Sequence, residues 1–189
     1  MSHYQPPKAD LFIILGQTNA GKTTLVKELT KKYTELSQII TTTDRPPRPG
    51  EKNGVDYWFK TPEELRHLEL LAPRTYHVAD NRTWTYGINP AHLHNNGIII
   101  VDYPGFKDLD HLLIGRYNLH SYYLDIPYDV RWKRSNHRHD EPKERQRRFV
   151  ADEKAFEDVP NDNRILDCPS AGDIKANILH VLTHQQNQY

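Results

Sequence analysis

Residues 16–23, Gly-Gln-Thr-Asn-Ala-Gly-Lys-Thr, set two glycines, a lysine and a threonine at the spacing G-x-x-x-x-G-K-[ST]. The chemistry suited to that spacing is the binding of a polyphosphate. Glycines let the backbone fold tightly enough for successive N–H groups to converge on phosphate oxygens, and the N-terminus of a following helix adds its positive dipole. Lys22 supplies a point charge and Thr23 a hydroxyl for a phosphate-bound Mg²⁺. The candidate triphosphate-binding residues are therefore Gly16, Asn19, Ala20, Gly21, Lys22, Thr23 and Thr24. Such a cradle implies a nucleoside triphosphate without saying what is done with it. Two further groups carry chemistry: Arg45 and Arg48 in a proline-rich stretch, and Arg131, Arg134, Arg138, Arg145 and Arg148 in a cationic run. Arg131, Arg134 and Arg138 fall at i, i+3, i+7 and can share one helical face, as Arg145 and Arg148 can on the next helix.

The elements that must position these residues are legible from hydrophobic patterning. "LFIIL" (11–15) is a continuous apolar run of strand length, the pattern of a parallel strand covered on both faces. "KTTLVKELTKKY" reads as the helix after the glycine loop, with Leu25, Leu29 and Tyr33 on one face. "QIITTT" predicts a second strand, and "RPPRPGEKNG" a loop, since proline and glycine cannot sustain a ladder there. From Val55 to about Gly97 the pattern changes to short pieces: "VDYWF", "RTYHVA" and "TWTYGI" as strands, and "TPEELRHLELL" as a helix capped by Thr61 with Pro62 first and Glu64 closing a capping box. "GIIIVD", "LHSYYLDI" and "RILDC" then return as buried strands, each followed by helix-like sequence, the last opening at Ser170. Alternation of strand and helix predicts a parallel α/β sheet.

The length of 189 residues suits one domain with a substantial core, and a composition of 37% hydrophobic and 26% charged residues predicts a folded chain with a large polar cleft. Lys plus Arg and Asp plus Glu both number 25, so no global basic field points to nucleic acid or an acidic membrane. The single cysteine, Cys168, excludes an intramolecular disulfide and a cysteine-based zinc site. No apolar stretch approaches transmembrane length, and Pro6 and Pro7 stand where a signal peptide would be apolar, so a cytoplasmic location is expected. The 11 histidines are scattered; His92/His94 and His137/His139, two apart, do not place both rings on one helical face, and no functional histidine metal site is expected.

"TTTDRPPRPGEKNGVDYWF" (41–59) resembles the segment by which guanylate kinases hold a nucleoside monophosphate, with Arg45, Arg48, Gly50, Glu51, Gly54 and Tyr57 in register. Thr85-Tyr86-Gly87-Ile88 is similar to that family's later Tyr-Tyr-Gly turn, "GIIIVDYPG" to its strand ending in an acidic residue, and "VRWKRSNHRHDEPKERQRRF" to its arginine-rich lid. The resemblance implies a three-layer α/β P-loop NTPase fold with a parallel sheet core, a small mixed monophosphate-binding insertion and a helical lid. It implies a core over 9–40 and 97–189, the insertion over 41–96 and the lid over 131–148.

The implied activity is transfer of the ATP γ-phosphate, with Mg²⁺, to GMP, dGMP or a related monophosphate. In this reading Arg45, Arg48, Tyr57 and Tyr86 grip the acceptor phosphate, a task suited to forked guanidinium groups and phenolic hydroxyls. Lys22, Arg134, Arg138, Arg145 and Arg148 would act on the transferring group, with spacing leaving open which of the arginines do so. Asp102 would sit beside the base or the Mg²⁺ water shell, or else simply cap the next helix.

The base end departs from the family pattern. Guanine's N1–H and N2–H₂ want acceptors, and the family places a carboxylate where counting back nine residues from Tyr86 reaches His77; Thr41 replaces a serine and Ile88 a hydroxyl. Asp80 would restore a carboxylate if the strand register differed by three. Two rivals stay open on sequence: a P-loop kinase of another phosphorylated small molecule, and a non-catalytic binding module built on the same fold.

Overall fold

The computed structural model describes residues 8–77, 82–136 and 142–186. Strand β1 (Ala9–Leu15) leads through the glycine loop into helix α1 (Lys22–Lys32), and the short strands β2 (Ser37–Gln38), β3 (Thr42–Thr43) and β4 (Trp58–Phe59) follow. Then come α2 (Pro62–Arg66), β5 (Leu71–His77), β6 (Thr83–Ile88), β7 (Gly97–Ile100), α3 (Tyr103–Leu113), β8 (Tyr117–Leu124), α4 (Tyr128–Ser135), α5 (Pro142–Ala155), β9 (Ile165–Cys168) and α6 (Ala171–Gln186).

A parallel sheet of order β2-β7-β1-β8-β9 forms the core, with β1 at its centre. Every residue from Leu11 to Leu15 is fully buried. The period-2 alternation of a strand explains why an unbroken apolar run is needed there. Leu11, Ile13 and Leu15 pack with Ile99, Phe106 and Leu109 on the α3 side, while Phe12 and Ile14 pack with Leu25, Leu29, Ile174 and Ile178 on the α1 and α6 side. The result is the expected helix–sheet–helix sandwich. Among the described residues no helix is long and apolar enough to cross a membrane.

A second, mixed sheet of order β4-β3-β6-β5 lies between β2 and β7 in sequence. It departs from the expected strands in three places. "QIITTT" is divided between the two sheets: Ser37 and Gln38 pair with β7, Ile39 enters the core, and Thr42 and Thr43 pair with β4 and β6. Backbone pairing partners on both sides of Ile39, rather than local propensity, make that division. "VDYWF" is strand only at Trp58–Phe59, because Val55 and Asp56 close a turn in which the Lys52 amide donates to the Asp56 carboxylate at 2.9 Å. Helix α2 opens with the expected capping box, Thr61 with Glu64, but ends at Arg66, and β5 begins at Leu71.

Candidate active site

An open cavity of about 790 Å³ runs between the C-terminal ends of β1 and β7, the mixed sheet and helices α4 and α5. At one end lies the glycine loop. Gly16 (φ 153°) and Gly21 (φ 108°) adopt backbone conformations that L side chains rarely reach, and a Cβ at Gly16 would stand 3.1 Å from the Leu124 carbonyl oxygen. Gly16, Asn19, Gly21, Lys22, Thr23 and Thr24 all line the cavity. Ala20 is buried against the core beneath it. The Lys22 ammonium turns back on its own loop, donating to the carbonyls of Gly16 (2.5 Å) and Gln17 (3.0 Å). The Thr18 amide donates to the carboxylate of Asp152 on α5. An acidic side chain thus occupies one of the loop's N–H groups.

At the other end the mixed sheet gathers a cluster of arginines and tyrosines. Arg45 is 2% exposed and forms a two-pronged ion pair with Glu51, at 2.9 and 2.8 Å to its two oxygens, while donating to the Pro46 carbonyl at 2.8 Å. Burial works against its charge, but Tyr86 and Glu51 more than offset that, so the guanidinium is held above its ordinary pKa. Its plane stands over Tyr57, 5.2 Å from the ring centre, and Tyr57 meets Tyr86 edge-on at 5.7 Å. Burial raises the Tyr57 phenol, keeping it a protonated donor. Arg48, Tyr57 and Tyr86 line the cavity with Arg45, and Thr41 lines it nearby. The loop earns its prolines and Gly50 (φ 87°) here: Glu51 turns back to accept from the Arg48 amide at 2.7 Å and thereby orients Arg45. The four residues that the family resemblance groups are thus brought to one wall.

Between the two ends, Asp102 at the end of β7 both caps α3 and faces the cavity. Its Oδ1 accepts from the Gly105 amide at 2.8 Å and its Oδ2 from the Tyr76 hydroxyl at 2.5 Å. Burial, then Asp102, pushes the Tyr76 phenol strongly upward.

His77 does not join them. It is exposed on β5 and lies outside the cavity lining, whereas Ala72, Arg74 and Tyr76 line it. The reason is register: Arg74 pairs with Tyr86 and His77 with Thr83, so His77, three residues beyond Arg74, points to the opposite face from Arg74 and Tyr86. Before Arg74, Leu71 pairs with Ile88, so three steps on β5 match two on β6, and Ala72, at φ 45°, takes the strained conformation of that bulge. Asp80 lies outside the described residues.

The cationic run divides. Arg134 reaches the cavity and donates to the Ala20 carbonyl at 2.7 Å. Arg148 lines the cavity, and so does Arg147, which the helical spacing had not singled out. Both bond to Glu144, whose carboxyl is held below its ordinary pKa mainly by the Arg147 hydrogen bond. Arg145, expected in the same role, instead stacks 4.6 Å over the Trp132 ring and donates to Asn136 at 2.9 Å, away from the cavity. Arg131 is buried under Phe149 and donates to the Ile126 carbonyl at 2.9 Å. Aromatic faces at Tyr128, Trp132 and Phe149 take these two cations out of the cavity. Arg138 lies outside the described residues. Among those residues no group of three or more His, Cys, Asp or Glu is arranged to hold a metal.

Residues 8–69 match the family model described as guanylate kinase. Guanylate kinases of Synechococcus sp. (strain JA-3-3Ab) and Thermotoga maritima are similar at 42% identity over 66 residues and 44% over 63, covering 34% and 33% of this chain and 30% of each relative. That of Coxiella burnetii is 52% identical over 52 residues, 28% of this chain and 25% of its own. These matches span about a third or less of each relative's length. In fold the likeness runs along nearly the whole chain: the crystal structure of guanylate kinase from Anaplasma phagocytophilum superimposes with a TM-score of 0.62 at 15% identity, covering 95% of this chain and 88% of that one. The matched stretch contains both the glycine loop and the Arg45–Tyr57 segment, and it is over this stretch that the chain is similar to guanylate kinases.

Proposed function

We propose that the protein is an ATP-dependent nucleoside monophosphate kinase that transfers the γ-phosphoryl group to GMP or dGMP, giving two nucleoside diphosphates. The observation that carries this reading is a single cavity with a glycine-loop cradle at one end and the Arg45–Arg48–Tyr57–Tyr86 wall at the other. Two separate sites for phosphate in one cleft suit phosphoryl transfer and not hydrolysis alone. The intact cradle favours an enzyme over a binding module.

In this reading the loop amides and Lys22 hold the donor phosphates, and Arg45 and its neighbours orient the acceptor so that its own phosphate oxygen attacks the γ-phosphorus in line. No protein nucleophile is required. Arg134, Arg147 and Arg148 neutralise the charge that spreads over the transferring oxygens, and closure of the α4–α5 region excludes water. The hydroxyl of Thr23 and the carboxylate of Asp102, both oxygen donors on the cavity wall, fit Mg²⁺, which takes few protein ligands beside phosphates and water. Bound there, the ion would supply positive charge that offsets that of the donor phosphates. The parallel-sheet core (9–40 and 97–189), the acceptor-binding insertion (41–96) and the lid (131–148) are the three functional parts of this one domain. ATP and a monophosphate are its partners; balanced charge argues for no nucleic acid, and nucleotide metabolism of this kind places it in the cytoplasm.

The test is a coupled assay of nucleoside diphosphate formation from ATP, Mg²⁺ and GMP. Lys22→Ala is expected to keep the fold and lower kcat by about 10² to 10³, the cost of removing one group aimed at transition-state charge. Unchanged turnover in a folded variant would exclude this role. A kinase of another phosphorylated metabolite is the second reading, favoured by the altered base end of the cavity, and it predicts tight ATP binding with no turnover of any nucleotide.

A further inference from the structure

We infer that Arg74 reads the base of the acceptor through a 6-oxopurine's carbonyl edge, O6 and N7, and that no carboxylate reads its N1–H and N2–H₂ edge; this rests on the monophosphate-kinase reading. Among the described residues five carboxylates line the cavity, and each is already engaged. Glu51 clamps Arg45; Asp56 accepts from Lys27 and the Lys52 amide; Asp102 accepts from Gly105 and Tyr76. Glu144 binds Arg147 and Arg148, and Asp152 holds the Thr18 amide. The positions flanking Arg74 at this end, Ala72, Gly87 and Ile88, carry no side-chain acceptor. A donor edge of a base buried here would have to share acceptors that already hold other partners.

Arg74 offers the opposite polarity. It stands directly across from Tyr86, a member of the phosphate wall, and on the same side of the strand pair. That pairing sets it toward the cavity, and the strained Ala72, φ 45°, lies two residues before it in the β5 bulge. Its Nε is buried with no hydrogen-bond partner; the nearest anion, Asp102 Oδ2, is 3.8 Å away, too far for a hydrogen bond. Asp102 nevertheless holds the guanidinium in place by charge while the side chain stays 39% exposed to the cavity. A planar fork of N–H donors matches two adjacent acceptors, and guanine and hypoxanthine present such a pair as O6 and N7. Adenine shows a donor amino group at the corresponding place and is disfavoured.

The experiment compares GMP, IMP, AMP and 2-aminopurine riboside monophosphate with the wild type, Arg74→Ala and Arg74→Lys, by kcat/KM and by calorimetric binding without ATP. IMP lacks the 2-amino group but keeps O6 and N7, so it is expected within about threefold of GMP, while AMP and the 2-aminopurine nucleotide fall about tenfold to a hundredfold below. Arg74→Ala should lower GMP and IMP by the same factor and leave AMP unchanged; Arg74→Lys, without the fork, should recover little. IMP tenfold or more worse than GMP, with Arg74→Ala indifferent, would overturn the assignment and return base reading to the 2-amino edge. Should no nucleotide be turned over, the kinase reading fails, and the binding arm still decides which purine edge is read.

Discussion

At the scale of single residues, the site works by restraining charges with other charges. Arg45 is nearly inaccessible to solvent, yet Glu51 and the tyrosines around it keep it ionised, so its guanidinium is pre-oriented before any acceptor arrives. Arg45→Ala should raise the acceptor's KM or lower kcat/KM by the equivalent of about 1.5 to 3 kcal/mol, the usual worth of a charged hydrogen bond, with ATP affinity within a few-fold of wild type. Calorimetric titration of each ligand separates the two subsites. Gly105 is equally constrained for a different reason: a Cβ there would stand 2.7 Å from Asp102 Oδ1, the atom that caps α3 and neighbours the Tyr76 contact. Gly105→Ala should cost about 1 to 3 kcal/mol, as overpacking and loss of a cap do, measured by denaturant unfolding.

At the scale of elements, the prolonged cationic run is organised by two devices, aromatic faces and one glutamate. Tyr128, Trp132 and Phe149 form a cluster on α4 and α5 that takes up Arg131 and Arg145, while Glu144 gathers Arg147 and Arg148 at i+3 and i+4 on α5. This arrangement makes α5 sensitive to acid. The Glu144 carboxyl is depressed in the folded protein, so its stabilisation is fully present above the ordinary glutamate value of about 4.3 and is lost as pH falls through the lower folded value. Glu144→Gln should destabilise by about 1 kcal/mol at pH 7 and by much less near pH 3, a difference read from urea midpoints at the two pH values.

At the scale of the whole molecule, contacts among the described residues tie the α4–α5 region to the glycine loop: Arg134 to the Asn19 and Ala20 carbonyls and Asp152 to the Thr18 amide. Asp152 sits among the groups that would face donor phosphates, and a carboxylate there opposes an incoming anion and competes for the Thr18 donor. Asp152→Asn removes the like charge while keeping a neutral acceptor. ATP should bind the variant a few-fold to tenfold more tightly, in line with about 1 kcal/mol for an exposed charge interaction, and the gain should shrink as salt rises. An ATP affinity unchanged across salt would mean that α5 swings clear of the loop before phosphate enters.

The sequence by itself determined what consecutive residues can determine. The glycine loop, the helix after it and the unbroken apolar strand at Leu11–Leu15 follow from backbone and burial rules acting within one stretch of chain, and so does the capping box at Thr61 and Glu64. The grouping of Arg45, Arg48, Tyr57 and Tyr86 was also readable, through a family resemblance that preserves their offsets. Tertiary structure decided which face each of the remaining candidates presents. His77 faces away because β5 sets Arg74, not His77, opposite Tyr86, and no local pattern marks the pairing partner. Arg145 is drawn to Trp132 on the neighbouring α4 while Arg147, paired with Glu144 on its own helix, lines the cavity, a sorting that cationic spacing alone cannot rank. Asp102 serves as helix cap and cavity wall at once, since its two oxygens meet partners from two different elements that only the folded chain brings together.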